Sequence, residues 1–207
     1  MAALPLAANG QTKQYGNEAD AEELVRNAID ILKRNAYNSK FTLDYYIAAE
    51  ERTDSKMGRI DLKGRLFRVQ ILDTEIKFNG KTQWTYVAAD NEVTITEPSR
   101  ADLNETNPMS MIESMLSTNR IVNAEQKVQK GFRVVMLYPQ NPKKVEYFKV
   151  TLYINQESGL PKKLIINQRN GDKITMSFID LHKVAYNAAN FVFKQADYPN
   201  VVVNDLR

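Results

Sequence analysis

The stretch from Gly58 to Pro98, GRIDLKGRLFRVQILDTEIKFNGKTQWTYVAADNEVTITEP, leaves few folds open. Successive side chains of a strand point to opposite faces, so a half-buried strand alternates apolar and polar residues. Ile60 and Leu62 alternate with Arg59, Asp61 and Lys63, Trp84 and Tyr86 with Gln83 and Thr85, and Val93 and Ile95 with Thr94 and Thr96. Turn formers separate the runs: Gly64, Asp90-Asn91 and Asn79-Gly80, the last a pair that supplies the positive φ angles of a type I′ hairpin turn. Five short strands in sequential hairpins make an antiparallel meander, which can curl into a barrel with one apolar face inward.

The flanks are expected to close or cover this sheet. Asn17 to Arg34 predicts a helix, with Leu24, Val25, Ala28, Ile31 and Leu32 at helical spacing, acids in the first turns and Lys33 and Arg34 where the dipole favours cations. Asn35 to Lys40 is expected as a loop and Phe41 to Glu50 as a long strand, with Phe41, Leu43, Tyr45 and Ile47 sharing a face. Glu50 to Lys56 is expected as a turn. Pro98 to Thr106 has no periodicity. Asn107-Pro108 then fits the N-cap and first position of a short helix running to Leu116. Three of the seven methionines, Met109, Met111 and Met115, lie on it, which suits either an adaptable apolar surface or plain core filling.

From Arg120 the pattern returns to strands at Ile121 to Gln129, Phe132 to Tyr138, Tyr147 to Asn155, Lys162 to Asn167 and Lys173 to Val184. Two short final strands are expected at Phe191 to Lys194 and Val201 to Val203. Large side chains on both faces between Phe132 and Ile154 imply strands covered on both sides or lining a cavity. The fold class expected is mainly β with α: an open, incomplete antiparallel β-barrel of about ten or eleven strands, covered by the N-terminal helix and a short Met-rich lid helix. Such a sheet is too wide for side chains alone to fill, so helices or a ligand must occupy its middle.

Composition excludes more than it asserts. Lys and Arg number 28 against 25 Asp and Glu, a net charge of +3 without long one-signed blocks, too weak a bias to argue for nucleic acid. No run is long enough for a membrane-spanning helix. The opening AALPLAANG reads as the end of a secretory signal peptide without its basic n-region, with small-x-small cleavage ending at Gly10; the alternative is an ordinary disordered N-terminus. Residues 1–16 are therefore set apart from a single domain over 17–207, and the first reading implies export. There are no cysteines, which excludes disulfides, thiolate metal sites and a Cys nucleophile.

Catalytic groups are sparse. His182 is the only histidine, and on a continuous strand Ser177 would face opposite to Asp180 and His182, which argues against a triad. With one histidine and no cysteine, metal binding has little to build on, and no Gly-rich phosphate loop is present. The reading is non-enzymatic, with no cofactor.

Several short motifs in order resemble the periplasmic lipoprotein carriers, the LolA-like proteins, and in particular their divergent members. They are Gly58-x-Ile60-x-Leu62-Lys63, Leu66-Phe67-Arg68, Phe78-Asn79-Gly80-Lys81-Thr82-x-Trp84-x-Tyr86, Glu92-Val93-Thr94-Ile95, Asn107-Pro108 before an apolar helix, and the ending Phe191-Val192-Phe193-Lys194 with Val201-Val202-Val203. The resemblance implies an open barrel under a helical lid, and a soluble periplasmic carrier that shuttles acylated lipoproteins from inner to outer membrane. Its implied partners are those lipoproteins, an inner-membrane lipoprotein-releasing complex and, where one exists, an outer-membrane receptor. A second reading of the same fold is an envelope module that senses or binds lipid or lipoprotein, and a third is a lipid-modifying enzyme, which would need a cluster of perturbed titratable groups in the cavity.

The ligand residues expected on this basis are Ile60, Leu62, Phe67, Phe78, Trp84, Tyr86 and Met136, closed over by Met109, Ile112, Met115 and Leu116. Burial suffices for the task, since exposing a chain of about fifteen CH₂ groups to water costs roughly 12 kcal/mol. In the family an arginine-proline pair after the first-motif lysine latches the lid. Here Gly64-Arg65 follows Lys63, so that role is not carried to Arg65.

Overall fold

The computed structural model describes residues 18–106 and 108–207. Helix α1 (Glu18–Arg34) buries Ala21, Val25, Ala28, Ile29 and Leu32, one stripe at 3.6-residue spacing, and keeps Glu18 and Asp20 at its start and Lys33 and Arg34 at its end. Lys63 completes that end: its ammonium donates to the carbonyls of Arg34 at 2.8 Å and Lys33 at 3.3 Å, satisfying groups that have no partner inside the helix.

The meander follows as expected in five strands, β2 (Arg52–Lys63), β3 (Leu66–Ile71), β4 (Thr74–Phe78), β5 (Gln83–Val87) and β6 (Glu92–Thr96), after β1 (Ala36–Ile47). The second half supplies β7 (Asn119–Gln129), β8 (Phe132–Pro139), β9 (Tyr147–Asn155), β10 (Pro161–Gln168), β11 (Lys173–Phe178), β12 (His182–Val184) and β13 (Val202–Asp205). All belong to one open sheet, ordered β13-β6-β5-β4-β3-β2-β1-β11-β10-β9-β8-β7, with β12 on β1 beside the end of β11.

The open barrel-like sheet and its helices match the expected class. Among the described residues it has thirteen strands, and it is mixed because β13 runs parallel to β6.

Several boundaries differ. β1 begins at Ala36, so the expected loop Asn35 to Lys40 is largely strand; its polar Ser39 is fully buried beside Ile60. β2 starts at Arg52, inside the expected turn, because a twelve-residue partner strand draws the charged run into the ladder. The segment expected to be irregular after Pro98 contains α2 (Arg100–Thr106). Lys173 to Val184 breaks at Ile179 to Leu181, and Phe191 to Lys194 is no strand: Phe191 closes a 3₁₀ turn at Ala188–Phe191 and the rest leads on from it. Asn79-Gly80 is not a type I′ pair, since only Gly80 has positive φ (99°) and the Asn79 side chain accepts from the amides of Lys81 and Thr82. The lid helix α3 (Pro108–Thr118) is present; its expected cap Asn107 and residues 1–17 lie outside the described residues.

One face of the sheet carries the main core. Cross-strand registers put Phe78 beside Phe67, Phe67 beside Leu62, Leu62 beside Tyr37, and Val135 beside Leu152, all in one cluster with the buried faces of α1 and α3. Gly58 lies opposite Phe41 within it.

The other face has its own small core. There Val93, Phe193 and Val201 are buried with Trp84, Tyr86, Ile95 and Tyr198 packed around them. The tail between β12 and β13 makes it, since the turn at Ala188–Phe191 touches β3 and β4, and Tyr198 stacks on Phe193 with centroids 4.4 Å apart.

Candidate ligand cleft

α3 does not seal the helix-side face. Between it and the sheet lies a half-open cleft of about 450 Å³. Met111 and Met115 form its helical wall, and Ile166 of β10, Ile174 of β11 and Tyr147 of β9 its sheet wall. Ile166 and Ile174 are cross-strand neighbours, so they make one continuous apolar floor. The rim is polar, with Ser114, Thr118, Asn141, Lys144 and Gln168. An apolar pocket with polar groups confined to its rim suits a ligand with a hydrocarbon part and a hydrated end.

The helical wall is held at its C-terminus and at its middle. At its C-terminus Asn119, itself buried, donates from Nδ2 to the Met115 carbonyl and the Thr118 hydroxyl at 3.1 Å each, and accepts from the Tyr147 hydroxyl at 3.2 Å. At mid-helix Glu113 pairs with Lys33 of α1 at 2.7 Å and, more loosely, with Arg65 of the β2–β3 turn at 3.6 Å.

The family model for the outer membrane lipoprotein carrier protein LolA matches residues 19–172, most of the sheet together with the three described α-helices. The chain belongs to that family. No curated protein matches it in sequence. In structure this LolA-family chain is similar to a conserved protein from Thermus thermophilus, at 14% identity and a TM-score of 0.61 over 90% of this chain and 99% of that one. It is also similar to MucB, at 14% identity and 0.50 over 86% of this chain and 64% of that one. A LolA superfamily protein from Nitrosomonas europaea aligns at 12% identity and 0.46 over 84% and 97%. These likenesses are of fold.

Within the LolA-family chain the expected ligand residues separate. Ile60, Leu62, Phe67, Phe78, Met109 and Met115 are buried in the main core, and Ile112 and Leu116 pack against it. Of these, Met115 lines the open cleft; the four sheet residues are closed off by helix packing.

Trp84, Tyr86 and Met136 stand on the opposite face. Trp84 lies across from Lys77 and Tyr86 from Glu75, whereas Ile76 and Phe78 of β4 point to the helices. Met136 alternates with the core residues Val135 and Leu137, and its sulfur accepts from the Tyr138 hydroxyl. Alternation separates two faces without saying which is inward, and a tail crossing the outer face provided the second burial site. The cleft residues missed were Met111, Tyr147, Ile166 and Ile174. The run of large side chains on both faces between Phe132 and Ile154, which marks strands covered twice or lining a cavity, reached Tyr147 alone of these four.

Other chemistry is thin. Ser177 pairs with Thr42 on the outer face, Asp180 accepts the Lys40 amide at 2.9 Å, and His182 Nδ1 lies 2.6 Å from the Asp180 carbonyl oxygen, so the three form no relay. Among the described residues no three His, Cys, Asp or Glu are gathered to hold a metal ion. Nor is any described helix long and apolar enough to cross a membrane.

Proposed function

We propose that this protein carries acylated lipoproteins through the periplasm, holding an acyl chain in the cleft between α3 and strands β9 to β11. The observation that supports this most is the pairing of a methionine wall with a continuous isoleucine floor in a cleft that α3 leaves open. Methionine is unbranched and polarizable, so the wall adapts to chains of differing length without a rigid fit. Each CH₂ withdrawn from water contributes about 0.8 kcal/mol, and no reaction or cofactor is needed. In this reading the donor is an inner-membrane lipoprotein-releasing complex and the acceptor the outer membrane or a receptor on it. The core residues Ile60, Leu62, Phe67 and Phe78 support the sheet beneath the helices, and Met109, Ile112 and Leu116 seat the lid.

The test is native mass spectrometry with a diacylated lipoprotein and its deacylated form. We expect a 1:1 complex with the acylated form only, weakened at least about tenfold by Met111→Glu or Ile174→Glu, and left intact by Trp84→Glu on the other face. A complex equally tight with the deacylated protein would reverse the reading in favour of a module that recognises protein surface.

A further inference from the structure

The face of the sheet turned away from the helices carries a second cleft, larger than the first at about 650 Å³. Its floor is the Tyr153 ring with Phe132, and Val128 of the edge strand β7, 43% exposed, borders it. Three cations surround that floor. Lys163 places its ammonium 4.2 Å from the Tyr153 centroid. Lys162 is fixed at the end of β11, donating to the carbonyls of Phe178 at 2.5 Å and Ile179 at 3.2 Å. Lys130 stands exposed on the β7–β8 hairpin tip. Ser177 adds a hydroxyl, and among the described residues no acidic side chain lines the cleft.

The register confirms the face: Tyr153 pairs with Lys163 and Lys163 with Ser177, all alternating with core residues Leu152, Leu164 and Met176. The basic character extends along it, since Lys149 and Lys173 flank Asn167 in the same rows and Lys173 lies 5.3 Å from the Tyr46 ring. Asp44 is the acid on these rows, and Asp180 beyond them is engaged with the Lys40 amide.

We propose that this outer cleft binds the phosphate head group of an anionic phospholipid, with the lysines on the phosphate oxygens and the glycerol and first methylenes on Phe132 and Tyr153. Three lysines line one cleft with no acid among its described lining residues, so an anion seated there gains attraction from each of them. A free phosphate would satisfy the lysines and leave the apolar floor wet. A phospholipid accounts for both halves of the cleft. Lysines near an anionic bilayer each contribute about a fivefold gain in binding. The site is separate from the helix-side cleft and does not depend on its proposed role.

The experiment is co-sedimentation at physiological salt with vesicles of phosphatidylcholine, either pure or one-third phosphatidylglycerol. It uses the full chain, Lys130→Glu/Lys163→Glu, the charge-matched control Lys183→Glu/Lys194→Glu, and Met111→Glu. We expect a preference for anionic vesicles of at least about 25-fold, a loss of at least about that size in the cleft double variant, and little change in the control or in Met111→Glu. Near-ultraviolet circular dichroism checks folding, and Lys130→Gln/Lys163→Gln, with a smaller loss in the same direction, replaces the reversal if that misfolds. Equal loss in the two charge-reversed doubles would reduce the effect to bulk charge, and loss in Met111→Glu would assign the lipid to the other cleft. Saturable binding of inorganic phosphate at Lys130 and Lys163 without vesicle binding would make it a free-anion site. Any of the three overturns the proposal.

Discussion

Lys33 at the end of α1 and Glu113 in the middle of α3 form an ion pair at 2.7 Å that ties the lid helix to the helix beneath it. Arg65 approaches the other carboxylate oxygen at 3.6 Å, so the carboxylate joins α1, α3 and the β2–β3 turn. Half-exposed pairs of this kind contribute about 0.5–1 kcal/mol, too little to hold the fold and enough to bias a lid. Glu113→Gln should leave the urea midpoint nearly unchanged and raise amide exchange across Met109 to Thr118 severalfold, with the amides of α1 unaffected. Unchanged exchange in α3 would mean that apolar packing alone seats the helix.

Asn119 secures the same helix at its C-terminal end, and here the stakes are higher because the side chain is buried. Removing it leaves the Met115 carbonyl and the Tyr147 hydroxyl without the partners they now have at 3.1 and 3.2 Å. Asn119→Ala is expected to cost about 1–3 kcal/mol. Tyr147→Phe removes one of those bonds and should cost less. The comparison is a pair of urea unfolding curves; a larger loss in Tyr147→Phe would place the main restraint on β9 instead of the helix end.

Gly58 is a packing requirement. A Cβ there would lie 2.5 Å from Phe41 Cζ and 2.6 Å from the Gln70 carbonyl oxygen, and Phe41 is buried and cannot swing away. Gly58→Ala should destabilise by about 1–3 kcal/mol through overpacking. Because one clash partner is a side chain, Phe41→Leu should recover part of that loss, with a coupling of about 1 kcal/mol in a double-mutant cycle. Strict additivity would show that the backbone contact with Gln70 carries the whole effect.

The meander from Gly58 to Pro98 was legible because alternation, hairpin residues and short spacing all agreed. Boundaries were lost where a polar residue was buried within a strand, as Ser39 is, or where a charged run joined a long ladder, as at Arg52. α2 left a sign that was passed over: Ser99-x-x-Asp102 is a capping box, with the Asp102 carboxylate accepting the Ser99 amide at 2.8 Å and the Ser99 hydroxyl accepting the Asp102 amide at 3.3 Å. The face of Trp84 and Tyr86 was beyond local pattern altogether. It depends on Tyr198, more than a hundred residues away, which packs at a tilt against Tyr86 with centroids 4.6 Å apart. The Met-rich helix was found by composition; the floor it faces needed the pairing of β10 with β11.

That same Tyr198 anchors the tail to a buried charge. Its hydroxyl donates to Glu75 Oε2 at 2.5 Å, while Arg68 reaches Oε1 at 2.6 Å and Lys77 lies 3.3 Å from Oε2, with Glu75 and Lys77 only 7% and 8% exposed. Burial pushes the Glu75 carboxyl up, but the bonds from Tyr198 and Arg68 and the nearby cations outweigh it and hold it below the ordinary 4.5. For Tyr198, burial and then the bond to Glu75 raise the phenol above the ordinary 10. The depressed carboxyl gives stability that is present above about pH 4.5 and lost as pH falls through its folded value. The raised phenol gives stability that is present below about pH 10 and lost as pH rises towards its folded value. Tyr198→Phe should therefore cost about 1.5–3 kcal/mol near neutrality, the worth of a hydrogen bond to a charged group, and the difference from the parent should shrink at both acid and alkaline ends. Urea midpoints at three pH values measure it. The fluorescence of Trp84, the single tryptophan, should shift red in the variant as the tail loosens. No stability difference at any of the three pH values would mean that Tyr198 holds the tail by its ring contacts alone.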